Sequence, residues 1–334
     1  MFGGLFRRGA APVLPEVDRD RALADQDLRA ARARAVAGDW TAARDVIAAA
    51  GTDWERRGHR TWVLAEAAQE NAGAWIDAWL TATPDDPTVV TLHAAALTEL
   101  AGRARGHATA AQTSQERLRS FADLSAKARA QAERALVLAP DDPLPCNILL
   151  NSMFSGGDRG GAFGELLAEA RRRDRFDFEV HTTAVTFLCE KWFGSHDAMF
   201  ALARETASQA PPGAGATMLP LFAHFEYAMR EYSWAKVNAS ALVDCRRYFQ
   251  RPDVQGELDA CVTKWRAPGP PTHAKALTCE NWLAIAYALS GRRDECKAVF
   301  DRIGPYADSH VWAYFFGSIR DGFTANRAWA NRTR

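Results

Sequence analysis

What most restricts the fold of this chain is its punctuation. A small residue followed by Trp recurs: Gly38-Asp39-Trp40, then Gly73-Ala74-Trp75 thirty-five residues on, and Tyr232-Ser233-Trp234 further along. Gly157, Gly194 and Ser233 are spaced by 37 and 39 residues. A second mark, Pro-Asp-Asp-Pro, stands at 84–87 and again at 140–143. In it the first Pro stops one helix, an Asp caps the next, and the second Pro fits a first helical turn, where a missing N–H costs no hydrogen bond. Between the marks, apolar residues recur at helical spacing. Ala43, Val46, Ile47 and Ala50 share one face, and Trp282, Ile285, Ala286 and Leu289 share another. The longest run, from Ser114 to Leu138, sets Leu118, Phe121, Leu124, Ala128, Ala132 and Ala135 on one side. No stretch alternates apolar and polar residues with β-branched enrichment, so strand signals are nearly absent. The pattern predicts an all-α chain of roughly fourteen helices.

A period of this size, with two antiparallel helices per unit and a small residue at the inner turn, is a helical-repeat signature. The segments GDWTAARDVIAA, ALVLAPDDP and AIAYALSGRRDECKAVFDRI resemble the tetratricopeptide family, although no repeat carries the family's whole consensus. That resemblance implies a tetratricopeptide-like α-solenoid of about six to seven antiparallel helix pairs. The string FLCEKWFGSHDAMFALARETASQAPPGA and the early GDWTAARDVI are similar to segments of helical-repeat proteins of actinobacteria, a likeness that implies fold and origin and carries over no activity. The expected organisation is a tail over 1–20, repeats over 21–142 with an insertion near 102–113, repeats over 143–322, and a tail over 323–334. A second irregularity, 250–271, adds a helix and the stretch APGPP.

Charge excludes one class of partner. Lys plus Arg and Asp plus Glu both number 41, so formal net charge is zero. A protein that grips phosphate backbones carries a basic excess, so no nucleic-acid partner is expected. No apolar run reaches eighteen residues, so no membrane span is expected. In MFGGLFRRGAAPVLPEV the charges follow the apolar residues and Gly interrupts them, which is not a signal-peptide pattern. The six cysteines form no C-x-x-C pair and sit in apolar helical segments, which reads as buried thiols in a reducing cytoplasm.

Cofactor and metal motifs are missing: there is no H-E-x-x-H, EF-hand loop or zinc-ribbon spacing. Gly156–Gly161 lacks the preceding strand and the Lys-Ser/Thr of a phosphate loop, so no cofactor is expected. The densest titratable segment is Glu190 to Asp197, with Ser195 placed to cap a helix and His196 in its first turn. His224 and Glu226 lie two residues apart on the next helix, about 200° around it, so one of them can face Glu190. Glu190, His196, His224 and Glu226 therefore form a candidate acid–base or metal-binding set. Against it stand capping, Glu226–Arg230 pairing and ordinary inter-helix hydrogen bonds. Trp40, Trp75 and Trp234 are expected to pack at inner turns. Trp192, Tyr227, Trp282 and Tyr287 are candidate linings of a ligand groove. Arg171–Arg173 read as a solvated helix end, and the consecutive Asp308-Ser309-His310 cannot converge as a relay. The leading expectation is a non-catalytic interaction module that binds a peptide, protein segment or small ligand on a concave face. The alternative is an enzyme or metal-binding protein using the Glu/His set.

Overall fold

The computed structural model describes residues 16–71, 73–106, 112–158, 160–234 and 238–332. Residues 1–15 of the expected tail and 107–111 of the expected insertion lie outside the described residues. Among the described residues the chain forms seventeen α-helices and no strand. They are α1 (Gln26–Val36), α2 (Trp40–Ala48), α3 (Trp54–Ala67), α4 (Ala74–Ala82), α5 (Pro87–Arg105), α6 (Gln115–Leu138), α7 (Leu144–Ser152), α8 (Ala162–Arg173) and α9 (Phe178–Phe187). There follow α10 (His196–Gln209), α11 (Leu219–Ala228), α12 (Ala239–Phe249), α13 (Pro252–Arg266), α14 (Ala276–Ser290), α15 (Arg293–Ile303), α16 (Val311–Phe316) and α17 (Ile319–Ala330). The all-α expectation holds. The helix number exceeds the expected fourteen because short elements such as the six-residue α16 are too brief to show a period.

Local chemistry explains most helix starts. Side chains of Asp25, Asp53, Asp86, Ser114, Asp177 and Ser195 accept N–H groups of the following first turn. The two Pro-Asp-Asp-Pro marks act in different frames. Asp86 Oδ1 accepts from the Thr88 N–H at 2.8 Å, with Pro87 opening α5. At the second mark Pro143 takes the cap position, and Asp142 Oδ1 accepts from the Leu144 N–H at 2.9 Å. Gly73, before α4, has φ +80°, a left-handed conformation in which a side chain is strained.

Consecutive helices pack on one another, most extensively α5 on α6. Each odd-numbered helix from α1 to α13 also packs on the next odd-numbered helix, so these seven form a continuous row. Helices α7 and α11 of that row are buried nearly all round: in α11 only Tyr227 of its ten residues escapes full burial. The buried side chains fall into two clusters, one from Ala22 to Leu149 and one from Cys146 to Ala330. Helix α7 serves both, giving Ile148 and Leu149 to the first and Cys146 and Leu150 to the second.

The segment before α1 meets the segment after α15. Asp18 N–H donates to Pro305 O at 2.9 Å, and Ala307 N–H donates to Asp18 O at 2.8 Å. Arg29 pairs with Asp18 at 2.7 Å, and Arg32 pairs with Asp20. The described part of the 1–20 tail is thus tied down. The tail expected over 323–334 is also corrected, because Phe323, Arg327 and Ala330 share one buried face of α17, which packs on α15 and α16. Gly102–Arg105 of the expected insertion belong to the last turn of α5.

The Trp expectations divide. Trp75 is 1% exposed and Trp40 is half-buried, stacked on Trp79 with centroids 5.4 Å apart. Trp234 is 36% exposed and lies beneath the Arg230 guanidinium, 5.6 Å from its ring centre. After α11 the chain makes a π-helical turn, Met229–Ser233, and Ser233 takes the inward place, donating to Tyr314 O at 2.9 Å. All six cysteines are buried free thiols. Burial pushes Cys146 up to about 11 and Cys189, Cys245, Cys261 and Cys296 up to about 12.

Candidate functional site

Between α9 and α10 the chain doubles back over residues 188–195. Trp192 N–H donates to Cys189 O at 2.9 Å, and Phe193 N–H donates to Phe187 O at 3.2 Å. A Cβ at Gly194 would stand 2.1 Å from Leu188 O, so this loop closes only around glycine. Ser195 Oγ then accepts from the Ala198 N–H at 3.2 Å and starts α10. The result brings Glu190 and His196 together: His196 Nε2 lies 3.1 Å from Glu190 Oε2. A third partner, Glu231 in the π turn, places Oε1 3.0 Å from the same nitrogen. Arg230 reaches the other oxygen of Glu190 at 3.5 Å. The His196 ring rests 4.5 Å from the Tyr227 ring. Sequence reasoning missed Glu231, although its four-residue spacing from Tyr227 was a helical-face signal.

The other two expected members go elsewhere. His224 is buried, with Nδ1 2.6 Å from Tyr248 Oη and Nε2 3.0 Å from Glu257. With its proton on Nε2 it donates to Glu257 and accepts from Tyr248, so both nitrogens are satisfied as in a structural core histidine. Burial works to raise the Glu257 carboxyl, but hydrogen bonds from Arg204 and His224 overcome it and hold it at about 2. Glu226 points away from both groups. Its carboxylate meets Lys191 Nζ at 2.6 Å and accepts from Tyr314 Oη at 2.6 Å, with no side-chain surface left to water. No Glu226–Arg230 pair forms among the described residues. The four expected residues therefore sort into three networks, because the 200° turn between His224 and Glu226 sends each toward a different neighbour.

A larger polar network runs through segments that are remote in sequence. Arg21 pairs with Glu99 of α5 at 2.9 Å and with Glu66 of α3 at 3.3 Å. Lys275, just before α14, pairs with Glu179 of α9 and lies 3.3 Å from His59 Nδ1. Burial, then the Lys275 charge, pushes His59 well below the usual imidazole range, so it meets the ammonium as a neutral acceptor. Burial raises Glu179, but the charge and hydrogen bond of Lys275, with Arg21 beyond, carry it below its ordinary value. His310 keeps an exposed face yet is crowded by protein, and burial lowers it against the opposing charge of Glu226. Arg21, Glu66 and His310 all retain solvent contact. A cavity of about 410 Å³ opens alongside, lined by Asp25, Arg56, His59, Arg60 and His273. Among the described residues the only non-glycine positive-φ positions are Leu23 (φ 53°) and Ser309 (φ 91°), next to this network at Arg21 and His310. Such strain persists only where surrounding contacts impose it, and it concentrates at functional sites. For Ser309 those contacts are the Trp282 indole N–H at 3.0 Å and the Val311 N–H at 3.2 Å, both donating to its hydroxyl.

The aromatic groove expectation is corrected for two of its four residues. Trp282 is 2% exposed, stacked on Phe222 at 5.0 Å and tilted against Phe178 at 5.2 Å. Tyr287 is buried beneath Arg292. Both belong to α14, which α12, α15 and α16 cover, so its stripe is core. Trp192 and Tyr227 are half-buried, the first edge-on to Phe154 at 4.8 Å and the second stacked on Tyr248 at 4.9 Å. The Arg run is also not simply solvated: the Arg173 guanidinium is buried and donates to Ala139 O at 2.8 Å and Asp142 O at 2.9 Å. No helix of the described residues is long and apolar enough to cross a membrane. Compared with models of known families, with curated proteins and with solved structures, the sequence matches none of them.

Proposed function

We propose that the protein is a non-catalytic, tetratricopeptide-like helical-repeat module that binds a charged peptide or protein segment along its inner polar network. One observation carries the reading: Arg21 pairs with Glu66 and Glu99, Lys275 pairs with Glu179, and Arg21 and His310 act electrostatically on Glu179, so six separate segments contribute charges to one region, and five of these six side chains keep contact with water. Ion pairs drawn partly out of water do little for stability, so their assembly from remote segments calls for another use. Both signs of charge are present, which suits a segment bearing acidic and basic side chains and sets its register. The repeat reading is supported by the row of odd-numbered helices and by the small-residue-then-Trp turns that recur between them. Six unpaired buried thiols favour a reducing, cytoplasmic setting.

The test is site-specific photocrosslinking. A photoreactive residue at Arg103, which sits 3.8 Å from Glu66, is compared with one at Val137, which is 79% exposed on α6. The reading expects discrete adducts from position 103 that Glu66→Lys suppresses, and none from position 137. Equal labelling at the two positions refutes it.

A further inference from the structure

We propose that Glu190, His196 and Glu231 form a binding site for a divalent transition-metal ion of the zinc class. This site is separate from the inner polar network and does not depend on the binding-module reading. Its three donors come from three elements: the 188–195 loop, the first residue of α10 and the π turn after α11. One donor atom from each lies within 4.8 Å of the other two.

Two distances carry the argument. Zinc bonds to imidazole nitrogen and carboxylate oxygen of about 2.0–2.2 Å place neighbouring donors about 2.9–3.5 Å apart in octahedral or tetrahedral geometry. His196 Nε2 stands 3.1 Å from Glu190 Oε2 and 3.0 Å from Glu231 Oε1, so two edges of a coordination polyhedron are already in place.

His196 Nε2 is the atom that both carboxylates approach, and a dication at that focus engages all three donors at once.

The surroundings fit such an ion. Arg230 approaches Glu190 on Oε1, leaving Oε2 free for the metal, which is the arrangement by which an outer partner orients a ligating carboxylate. Contact with Tyr227 at 4.5 Å fixes the plane of the imidazole. Both carboxylates are partly exposed, so water can complete the coordination and the ion can enter. One imidazole with two carboxylates favours zinc-class ions over Mg²⁺ and Ca²⁺, which take all-oxygen sets.

The experiment is calorimetric titration of the chelator-stripped chain with zinc chloride and, in parallel, magnesium chloride. The parent should bind one equivalent of zinc and no magnesium. Binding should weaken at least about tenfold in His196→Ala and in Glu231→Gln, and should be unchanged in Glu165→Gln, an exposed carboxylate on α8. If His196→Ala does not fold, the near-isosteric Glu231→Gln decides alone. Absence of a stoichiometric zinc isotherm in the parent overturns the proposal. So does equal affinity in the parent and Glu231→Gln, which would place the bound zinc elsewhere.

Discussion

Replacing Lys191 with Met should destabilise the protein more than almost any other single change outside the apolar core. Glu226 lies on α11 with its carboxylate shut off from water, and two groups neutralise it: Lys191 Nζ at 2.6 Å and Tyr314 Oη at 2.6 Å. Lys191→Met keeps most of the side-chain volume and deletes the one cation that, among the described residues, pairs with that carboxylate. Removing one partner of a buried pair costs about 3–5 kcal/mol, because the remaining charge has neither water nor a counter-ion. Tyr314→Phe deletes a hydrogen bond to a charged acceptor and should cost about 1.5–3 kcal/mol. The informative variant is Lys191→Met combined with Glu226→Gln. It removes both charges, so it should be more stable than Lys191→Met alone, with a coupling of about 1–3 kcal/mol between the sites. Urea unfolding followed by Trp fluorescence supplies these values. A loss below about 1 kcal/mol for Lys191→Met, or strict additivity in the double variant, would refute the account of Glu226 as a sealed, paired carboxylate.

Other outcomes follow from the same contacts. Trp75→Ala should cost about 3–5 kcal/mol, and Trp234→Ala no more than about 1 kcal/mol, in the same urea assay. Buried His181 donates from Nδ1 to Asp177 O at 2.8 Å, accepts from Arg171 Nε at 3.2 Å, and is lowered by burial to about 4. The unfolded chain binds a proton there first, so its neutral form stabilises the fold at neutral pH, and that contribution is lost as pH falls from about 6.5 toward 4. The stability difference between parent and His181→Asn should therefore shrink by up to about 3 kcal/mol between pH 7 and pH 4, and a flat difference would contradict this. All six thiols should resist alkylation at pH 8 until denaturant is added, since burial holds each above its ordinary range. A thiol that reacts at once in the native protein would show local opening at its helix.

The sequence by itself determined what depends on neighbours a few residues apart. The helical class, the caps at Asp86 and Ser195, and the left-handed turn at Gly73 all follow from backbone chemistry within one or two turns. The pairing of Glu190 with His196 was legible for the same reason: six residues apart, they are held by one tight loop around Gly194. Tertiary packing decided the rest. On α11 the periodicity shows that His224 and Glu226 face different ways, but only packing assigns Tyr248 and Glu257 to one and Lys191 and Tyr314 to the other. Helical spacing alone does not distinguish Trp282 in a groove from Trp282 in a core, because both need the same stripe; the covering of α14 by α12, α15 and α16 settles it. The meeting of Asp18 with Pro305 and Ala307 leaves no local trace, since it depends on the summed angles at which the fifteen helices between them stack. Those angles come from how side-chain ridges of one helix fit the grooves of the next, a property of paired surfaces that neither segment carries alone.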